Sequence, residues 1–278
     1  MERSSFLLYG ANGYSGKLIA RFAHEYNLKP VLAGRSEASI KPLAQKLNLP
    51  YRIIDLNDSL KMQAALGEVK LVLHAAGPFQ FTAKQMIDAC LKTGTHYIDI
   101  NGDISIFEMI KQYDDAAKEK GIMLLPGAGF DVVPTDCLAL YLKNRMPAAV
   151  DLKIAFATLG GTVSHGTASS MIHKLGTGSA LRKEGEIQKS TLGKNAMEIK
   201  VLDKSFFVMS IPWGDVSTAY FSTGIPNIET FTAMPKSAYY LLKFQFLFNW
   251  MLRTDFMKQL LLNRINKKAP GPTDEQRS

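Results

Sequence analysis

The sequence predicts an α/β protein, with a Rossmann-type doubly wound parallel sheet followed by a second, mixed α+β domain. Short apolar runs alternate with amphipathic segments of about 10–15 residues through the first half of the chain. Three glycines, Gly10, Gly13 and Gly16, directly follow the first apolar run. The alternation stops near residue 130. We therefore expect a nucleotide-binding domain at 1–130 and an α+β substrate or dimerisation domain at 131–278.

Strands and helices alternate strictly in the first domain. The predicted strands are SFLLYG, PVLAG, YRIIDL, VKLVLHAAG, HYIDI and IMLLPG. The predicted helices between them are YSGKLIARFAHEYN, EASIKPLAQKLN, DSLKMQAALG, TAKQMIDACLKTG and SIFEMIKQYDDAAKEKG. Gly94 and Gly121 follow helices, where C-terminal caps belong. Because parallel strands need long crossover connections, this order predicts a parallel sheet.

The second domain has a different rhythm. DLKIAFATLGG predicts a strand, and TASSMIHKLG predicts a short helix. MEIKVL, SFFVMSI, TAYFST and IETFTAM predict further strands. Residues 237–265 are predicted to form an aromatic-rich helical segment, and the chain closes on the polar stretch KKAPGPTDEQRS.

Composition excludes several classes of protein. The formal net charge is +8, and the excess lies at residues 236–278, where 8 Lys and Arg stand against 3 Asp and Glu. A nucleic-acid-binding domain carries a broad basic stripe instead, so we expect no nucleic-acid partner.

With two cysteines, Cys90 and Cys137, and no metal-ligand spacing, we expect neither disulfides nor metal, and both thiols buried in helices. No secretory signal is recognised, which favours the cytoplasm.

The three glycines indicate a phosphate-binding turn. A glycine-rich turn between a strand and a helix presents backbone N–H groups and the positive end of the helix dipole to a phosphate. The first glycine permits the turn, the second admits the pyrophosphate, and the third lets helix and strand pack closely. A purely structural turn is the alternative. The residues predicted to hold the dinucleotide here are Gly10, Asn12, Gly13, Tyr14, Ser15 and Gly16.

The end of the second strand favours NADP(H). NAD-binding domains usually place Asp or Glu there, on the ribose. Here the strand ends in Gly34, Arg35 and Ser36, and a guanidinium suits a 2′-phosphate in charge and geometry. The alternative is a solvated loop arginine, paired with Glu37.

The next two strand ends are predicted to face the same crevice. Asp55 and Leu56 close the third strand, where an acceptor can reach the adenine amino group. A helix N-cap is the alternative role for Asp55, although Asp58 is better placed for it. The fourth strand ends in small or rigid residues that let backbone run beside the cofactor, namely Ala75, Ala76, Gly77 and Pro78.

Two residues are candidates for catalysis. Asp131 follows the sixth strand and is the best-placed carboxylate, whereas Asp136 suits the following helix. His165 lies among small residues before a helix and could protonate a substrate. Helix capping is the alternative for either carboxylate, and a surface or packing role is the alternative for the histidine.

These motifs resemble the saccharopine dehydrogenase-like family, including its trans-acting enoyl reductase branch. The resemblance rests on GANGYSG (10–16), AGRS (33–36), DLND (55–58), AAGPF (75–79), HYIDINGD (96–103), GAGFDVVPTD (127–136), GGTVSHGTASSMI (160–172) and GPTDEQR (271–277). Gly102–Asp103 departs from the Gly–Glu that the family usually has. The resemblance implies that NADPH hydride reduces a C=N or an activated C=C bond across an interdomain cleft. Residues 159–170 lack clustered arginines, which favours a small, weakly charged substrate.

The aromatic segment 237–265 is open to two interpretations. Its apolar residues surround the predicted helix almost completely, which is typical of burial. We therefore predict that Phe244, Phe248 and Trp250 pack against the second domain or a second subunit, and we expect a homo-oligomer. The alternative is peripheral membrane contact, aided by basic residues. A non-catalytic NADP(H) sensor or membrane-associated scaffold is accordingly the alternative to an oxidoreductase.

Overall fold

The computed structural model describes residues 6–157, 165–247, 249–265 and 271. The chain divides into two compact units, with the boundary between Asp131 and Val132. The first unit contains a six-stranded sheet of order β3-β2-β1-β4-β5-β6, in which all strand pairs are parallel. Its strands are β1 (Leu7–Tyr9), β2 (Val31–Gly34), β3 (Tyr51–Ile53), β4 (Leu71–His74), β5 (His96–Asp99) and β6 (Leu124–Leu125). This order is that of the Rossmann fold, as predicted.

Helices follow the strands as the sequence predicted, with one difference. They are α1 (Tyr14–Phe22), α2 (Glu37–Leu47), α3 (Ser59–Gly67), α4 (Ala83–Thr93), α5 (Ile104–Lys111) and α6 (Asp114–Lys120), with 3-10 turns at Ala23–Tyr26 and Phe79–Phe81. The segment predicted as one helix from residue 105 to 121 is two helices. Gly94 and Gly121 end α4 and α6 in the left-handed conformation, at φ 67° and 62°, which confirms their predicted capping role.

Both faces of the first sheet are buried. Leu7 and Tyr9 belong to one apolar cluster, while Phe6 and Leu8 belong to the other. Successive residues of a strand point to opposite faces, so β1 contributes to both layers of the core. An apolar run that is buried on both sides is typical of a central parallel strand.

The second unit contains a mostly antiparallel sheet. Its strands are β7 (Asp151–Phe156), β8 (Ser179–Lys183), β9 (Glu186–Ser190), β10 (Ala196–Val201), β11 (Lys204–Ile211) and β12 (Asn227–Ala233). The order is β10-β11-β12-β8-β9, and β7 pairs with β12 in parallel. Helix α7 (Val133–Arg145) precedes these strands, α8 (His165–His173) lies between β7 and β8, and α9 (Asp215–Thr223) lies between β11 and β12. The mixed α+β prediction is confirmed.

Two local predictions in the second unit are wrong. TAYFST was expected to be a strand but lies within α9, where Ala219 is fully buried and Gly224 caps the helix at φ 68°. Tertiary packing thus overrides the β-propensity of its Thr, Tyr and Phe residues. The hairpin β8–β9 was not predicted, because its strands are largely polar. Its turn uses Glu184 and Gly185 at φ 54° and 82°.

The aromatic segment is helical but interrupted. It forms α10 (Lys236–Lys243), a 3-10 turn (Gln245–Leu247), α11 (Asn249–Leu252) and α12 (Asp255–Ile265). Phe244 and Trp250 are 55% and 72% exposed, so they do not pack against the second domain; their packing against a second subunit, the other predicted possibility, stays a prediction. Phe248 lies outside the described residues. No helix among the described residues is long and apolar enough to cross a bilayer.

The two cysteines differ in their surroundings. Cys90 is buried in α4, as predicted, and burial raises the pKa of its thiol. Cys137 is exposed on α7, so the prediction of a buried packing residue is wrong there. Leu138 and Tyr141 on the same helix are more than half exposed as well.

Candidate functional site: the carboxyl edge of the parallel sheet

The junction between β1 and α1 is held close to β2. The amides of Gly10 and Ala11 both donate to the Ala33 carbonyl, over 2.8 and 3.2 Å. The Gly13 amide then donates to the Gly10 carbonyl over 3.0 Å, which closes the turn before α1 begins. Asn12, Tyr14 and Ser15 complete the turn and are partly exposed. The turn therefore lies at the carboxyl edge of the sheet, where dinucleotides bind in this fold.

The three glycines are required for different reasons. A Cβ on Gly10, which has φ +86°, would lie 2.7 Å from the Ala76 nitrogen. A Cβ on Gly16 would lie 2.2 Å from the Gly10 carbonyl oxygen. Gly13 has an ordinary φ of −71° and a mild contact of 3.3 Å, and it is exposed. Gly10 and Gly16 are thus needed by the fold, whereas Gly13 leaves an open approach to the N-terminus of α1.

The end of β2 presents Arg35 to solvent. Arg35 is exposed, Ser36 stands at the N-cap of α2, and no carboxylate closes the strand. Glu37, which the sequence offered as a partner for Arg35, instead forms an ion pair with Lys41 over 3.3 Å. The side chain of Asn12 lies over the end of the same strand, since its Oδ1 would be 3.3 Å from a Cβ at Gly34.

Tyr9 connects the first three strand ends. Its hydroxyl donates to the Ile54 carbonyl over 3.1 Å. Burial raises the pKa of Tyr9 to about 12, with a further increase from the Asp55 carboxylate and an opposing effect from the Arg35 guanidinium. Both charged groups therefore lie within electrostatic reach of one phenol, which places Arg35 and Asp55 on the same part of the sheet edge.

The end of β3 has a self-contained turn. Asp55 Oδ1 accepts from the amide and from the side-chain nitrogen of Asn57, over 2.8 and 2.9 Å. Asp58 caps α3 by accepting from the Lys61 amide over 3.1 Å, as predicted. Leu56 packs against the core. A depression of about 540 Å³ lies beside this turn, lined by Asp55, Asn57, Asp58, Ser59 and Leu60.

The end of β4 passes directly beside the glycine turn. The Ala75 amide donates to the Tyr9 carbonyl over 2.8 Å, and Ala76 lies against Gly10. Gly77 and Pro78 follow through a cis peptide bond. Of the four residues that the sequence assigned to the cofactor, Ala75 and Ala76 therefore lie against Gly10, and the Ala75 carbonyl oxygen would be 4.0 Å from a Cβ at Gly13.

The ends of β5 and β6 are joined by a buried carboxylate. Asp99 is fully buried and accepts from the Tyr97 hydroxyl at 2.6 Å, the Gly127 amide at 2.8 Å and both the amide and side chain of Asn101 at 2.9 and 2.7 Å. Burial raises the pKa of Asp99, against the effect of these donors. Asp99 therefore fixes the two loops that carry Gly102 and Asp131.

Asp131 lies against Gly102. A Cβ on Gly102 would be 3.2 Å from the Asp131 Cβ and 3.3 Å from its Oδ2. Burial raises the pKa of the Asp131 carboxyl group. Asp103, the residue that departs from the family motif, accepts from the Ser105 amide and caps α5.

The remaining candidates lie in the second unit. His165 is the first residue of α8, and its Nε2 is buried without a hydrogen-bond partner among the described residues. Asp136 lies in the first turn of α7 and accepts from the Ser222 hydroxyl over 2.6 Å, which supports a packing role. Ser164 and the stretch before it lie outside the described residues.

Two buried polar residues of this edge were missed by sequence reasoning. His74 and Asp99 each end an apolar strand and are fully buried. The available signal was a polar residue closing a strand immediately before a small-residue turn. Among the described residues, no group of three or more His, Cys, Asp or Glu could hold a metal ion.

The first unit is thus a nucleotide-binding domain of the Rossmann type. Residues 6–125 match the family described as saccharopine dehydrogenase NADP binding domain. With the relatives below, this match confirms the resemblance that the motifs predicted: the first unit is similar to the NADP-binding domain of saccharopine dehydrogenase, and the chain is similar to saccharopine dehydrogenase-like oxidoreductases.

Three curated relatives and one solved structure illustrate the family. Saccharopine dehydrogenase-like oxidoreductase of Mus musculus is 29% identical over 202 residues, covering 64% of this chain and 47% of the relative. Lipid droplet localized protein of Caenorhabditis elegans is 24% identical over 211 residues, covering 69% and 49%. Trans-acting enoyl reductase of Mycobacterium tuberculosis (strain ATCC 25177 / H37Ra) is 31% identical over 147 residues, covering 50% and 35%.

The solved structure supports the fold. Apo saccharopine dehydrogenase (L-Glu forming) from Saccharomyces cerevisiae superposes with a TM-score of 0.66 at 15% identity, covering 99% of this chain and 69% of the yeast chain. The chain described here spans about half the length of the first two curated relatives.

Proposed function

We propose that the protein is an NADP(H)-dependent oxidoreductase that reduces a C=N bond or an activated C=C bond of a small, weakly charged substrate. The observation that carries the proposal is the sheet edge itself, where an open glycine turn and an exposed Arg35 stand together and β2 ends without a carboxylate. A Cβ on Gly13 would occupy the approach to the N-terminus of α1, so this edge fits a bound pyrophosphate.

The chain supplies binding and orientation. Backbone amides of the glycine turn and of α1 would hold the pyrophosphate, Arg35 and Ser36 the 2′-phosphate, and Asp55 the adenine amino group. The backbone of residues 75–78 would run beside the dinucleotide. When bound, the nicotinamide supplies the hydride.

Asp131 is the first candidate for the proton donor. Its carboxyl group is partly buried, and burial raises its pKa, so a larger fraction is protonated near neutral pH than in water. His165 is the second candidate, because its Nε2 is buried and lacks a partner among the described residues. If Asp131 donates the proton, Asp131→Asn should lose turnover and keep dinucleotide binding. If His165 donates it, His165→Gln should show the same result.

The test of cofactor choice compares two arginines. NADPH and NADH are titrated by fluorescence into the wild type, Arg35→Ala and Arg52→Ala. Arg52 is a matched control, because it lies on β3 and pairs with Glu68 over 2.9 Å. Loss of a charge-assisted contact predicts about tenfold weaker NADPH binding in Arg35→Ala, with NADH unaffected. If Arg35→Ala keeps the wild-type preference for NADPH, Arg35 does not read the 2′-phosphate.

The test of chemistry uses NADPH oxidation with a panel of imines and enoyl thioesters. Turnover of either class supports the oxidoreductase. Tight NADPH binding without turnover of any compound would favour the non-catalytic sensor instead.

A second candidate function is attachment to a lipid surface through residues 236–265. Phe246, Trp250 and Phe256 are 68%, 72% and 78% exposed there, beside basic side chains that suit anionic headgroups. The relative from Caenorhabditis elegans carries the name lipid droplet localized protein. A self-associating surface would explain the same exposure, in keeping with the expected homo-oligomer.

Vesicle flotation and light scattering distinguish these two roles. Trp250→Ser with Phe256→Ser should abolish binding to vesicles containing phosphatidylserine and leave the mass in solution unchanged. Leu60→Ser is the matched control, since Leu60 is 79% exposed on the first unit. A drop in oligomeric mass, with no vesicle binding by the wild type, would support a subunit interface instead.

A further inference from the structure

A hydrogen-bonded pair, the fully buried His74 and the partly buried Thr82, holds the loop that follows β4. The Thr82 hydroxyl lies 2.8 Å from the Ala76 carbonyl oxygen and 3.0 Å from His74 Nε2. A hydroxyl has a single proton to donate. We assign it to the Ala76 carbonyl at 2.8 Å, which is closer than the Pro78 carbonyl at 3.4 Å, and with this assignment His74 Nε2–H donates to the Thr82 oxygen. The hydrogen bonds therefore run in one direction, from His74 through Thr82 to the backbone of Ala76.

The surroundings of His74 keep its ring neutral. The side chain is fully buried among the rings of Tyr9, Phe79 and Tyr97, with centroids 5.7, 5.3 and 6.1 Å away. Burial lowers the pKa of His74 to about 3. Its Nδ1 is buried without a partner among the described residues. Because an unpaired buried acceptor is destabilising, an apolar ring would fill the place better if packing were the only role.

Ala76 is the point at which this loop meets the glycine turn. A Cβ on Gly10 would lie 2.7 Å from the Ala76 nitrogen, so the two backbones are in direct contact. The carbonyl that Thr82 holds belongs to the same residue. A shift of Ala76 would therefore change the shape of the edge that Gly10, Gly13 and residues 75–78 form together.

We propose that His74 and Thr82 are positioning residues for the dinucleotide, which fix the Ala76 carbonyl and thereby the backbone beside the cofactor. This inference rests on the proposed function. Neither side chain needs to touch the dinucleotide, and the effect of losing either one is transmitted through the backbone of residues 75–78.

The experiment compares Thr82→Val with Thr95→Val. Thr95 is a matched control, because it is fully buried in the same unit and its hydroxyl donates to the Leu66 carbonyl over 2.9 Å. Three quantities are measured: the Kd for NADPH, the urea midpoint, and amide hydrogen exchange of residues 76–82 without cofactor. Thr82→Ser tests rescue by a retained hydroxyl, and His74→Phe removes the donor to Thr82.

We expect Thr82→Val and His74→Phe to raise the Kd about tenfold and to speed exchange in residues 76–82. Thr95→Val should lower the urea midpoint with the Kd and this exchange unchanged, and Thr82→Ser should behave as the wild type. Equal Kd values for Thr82→Val and the wild type would overturn the positioning role and leave the proposed function intact. Equal weakening of NADPH binding in Thr82→Val and Thr95→Val would also overturn the positioning role, because it would indicate a general loss of stability. Failure of the wild type to bind NADPH or NADH would refute the proposed function and the positioning role together.

Discussion

The three glycines of the first junction should separate into two classes when each is replaced by alanine. Gly10→Ala and Gly16→Ala should destabilise the fold, whereas Gly13→Ala should leave it standing and weaken dinucleotide binding. The reason is the distance between each added methyl group and the atoms nearest to it. At Gly10 and Gly16 it meets backbone within 3.0 Å, and at Gly13 its nearest neighbour is 3.3 Å away.

The magnitudes follow from these contacts. Gly10 has φ +86°, which costs an L-residue about 1–2 kcal/mol, and overpacking against Ala76 adds about 1–3 kcal/mol. At Gly16 the methyl group would lie 2.2 Å from the Gly10 oxygen, so we expect at least the upper end of the overpacking range, about 3 kcal/mol. Gly13 is the N-cap of α1, where alanine costs roughly 0.5–1 kcal/mol.

The assay pairs urea unfolding with NADPH titration. Gly67→Ala is the control, because nothing lies within 4 Å of its added Cβ in α3, and it should leave the Kd unchanged and raise the free energy of unfolding by at most about 1 kcal/mol. Gly13→Ala should raise the Kd more than about tenfold, and Gly13→Val should abolish binding, since a branched side chain would occupy the pyrophosphate's place. The reasoning is refuted if Gly13→Ala destabilises as much as Gly16→Ala, or if a folded Gly13→Val binds NADPH normally.

Three further predictions concern stability. The pKa of His74 falls from 6.5 to about 3 on folding, so the unfolded chain binds the extra proton and stability declines as the pH drops below 6.5. At pH 4.5 the loss should be about 3 kcal/mol relative to pH 7.5, and urea titrations of His74→Phe should lack this part of the slope. Asp58→Ala should lower the urea midpoint through loss of the α3 cap, with the Kd for NADPH unchanged. Asp99→Asn should lower the free energy of unfolding by about 3 kcal/mol in urea titrations. The carboxylate accepts hydrogen bonds on both oxygens, from the Tyr97 hydroxyl and the Gly127 amide among others, and an amide would place its nitrogen, a donor, in one of these positions.

The Rossmann architecture could be predicted because local and global signals agree. Each apolar run of the first unit is a strand, and the glycine spacing is satisfied by close contacts of Gly10 and Gly16 that no other residue type allows. Asp58 was predictable as a cap because the rule depends on a few neighbouring residues. Agreement of this kind is what allows a sequence to specify one fold.

The buried polar residues could not be predicted from the same signals. His74 ends a strand whose neighbours, Tyr9 and Asp99, come from β1 and β5. Its hydrogen bond to Thr82 depends on a turn eight residues long, and its burial depends on rings from three strands or loops. Residue type and spacing do not contain this information, which arises when the sheet is assembled.

The contacts that hold the aromatic segment could not be predicted from the sequence either. Two polar residues of the segment, Gln245 and Arg253, attach it to the second unit. Gln245 Nε2 donates to the Leu192 carbonyl, and Arg253 Nε donates to the Gly176 carbonyl, both over 2.7 Å. Trp250, between them, is 72% exposed. Polar contacts thus hold a largely aromatic surface outward on a folded unit. Gln245 and Arg253 attach the segment to the second unit, whereas Trp250 Nε1 donates within the segment, to the Leu247 carbonyl over 2.9 Å. We therefore expect replacement of Trp250 and Phe256 to leave the segment attached, so that the vesicle experiment tests the exposed aromatic surface itself.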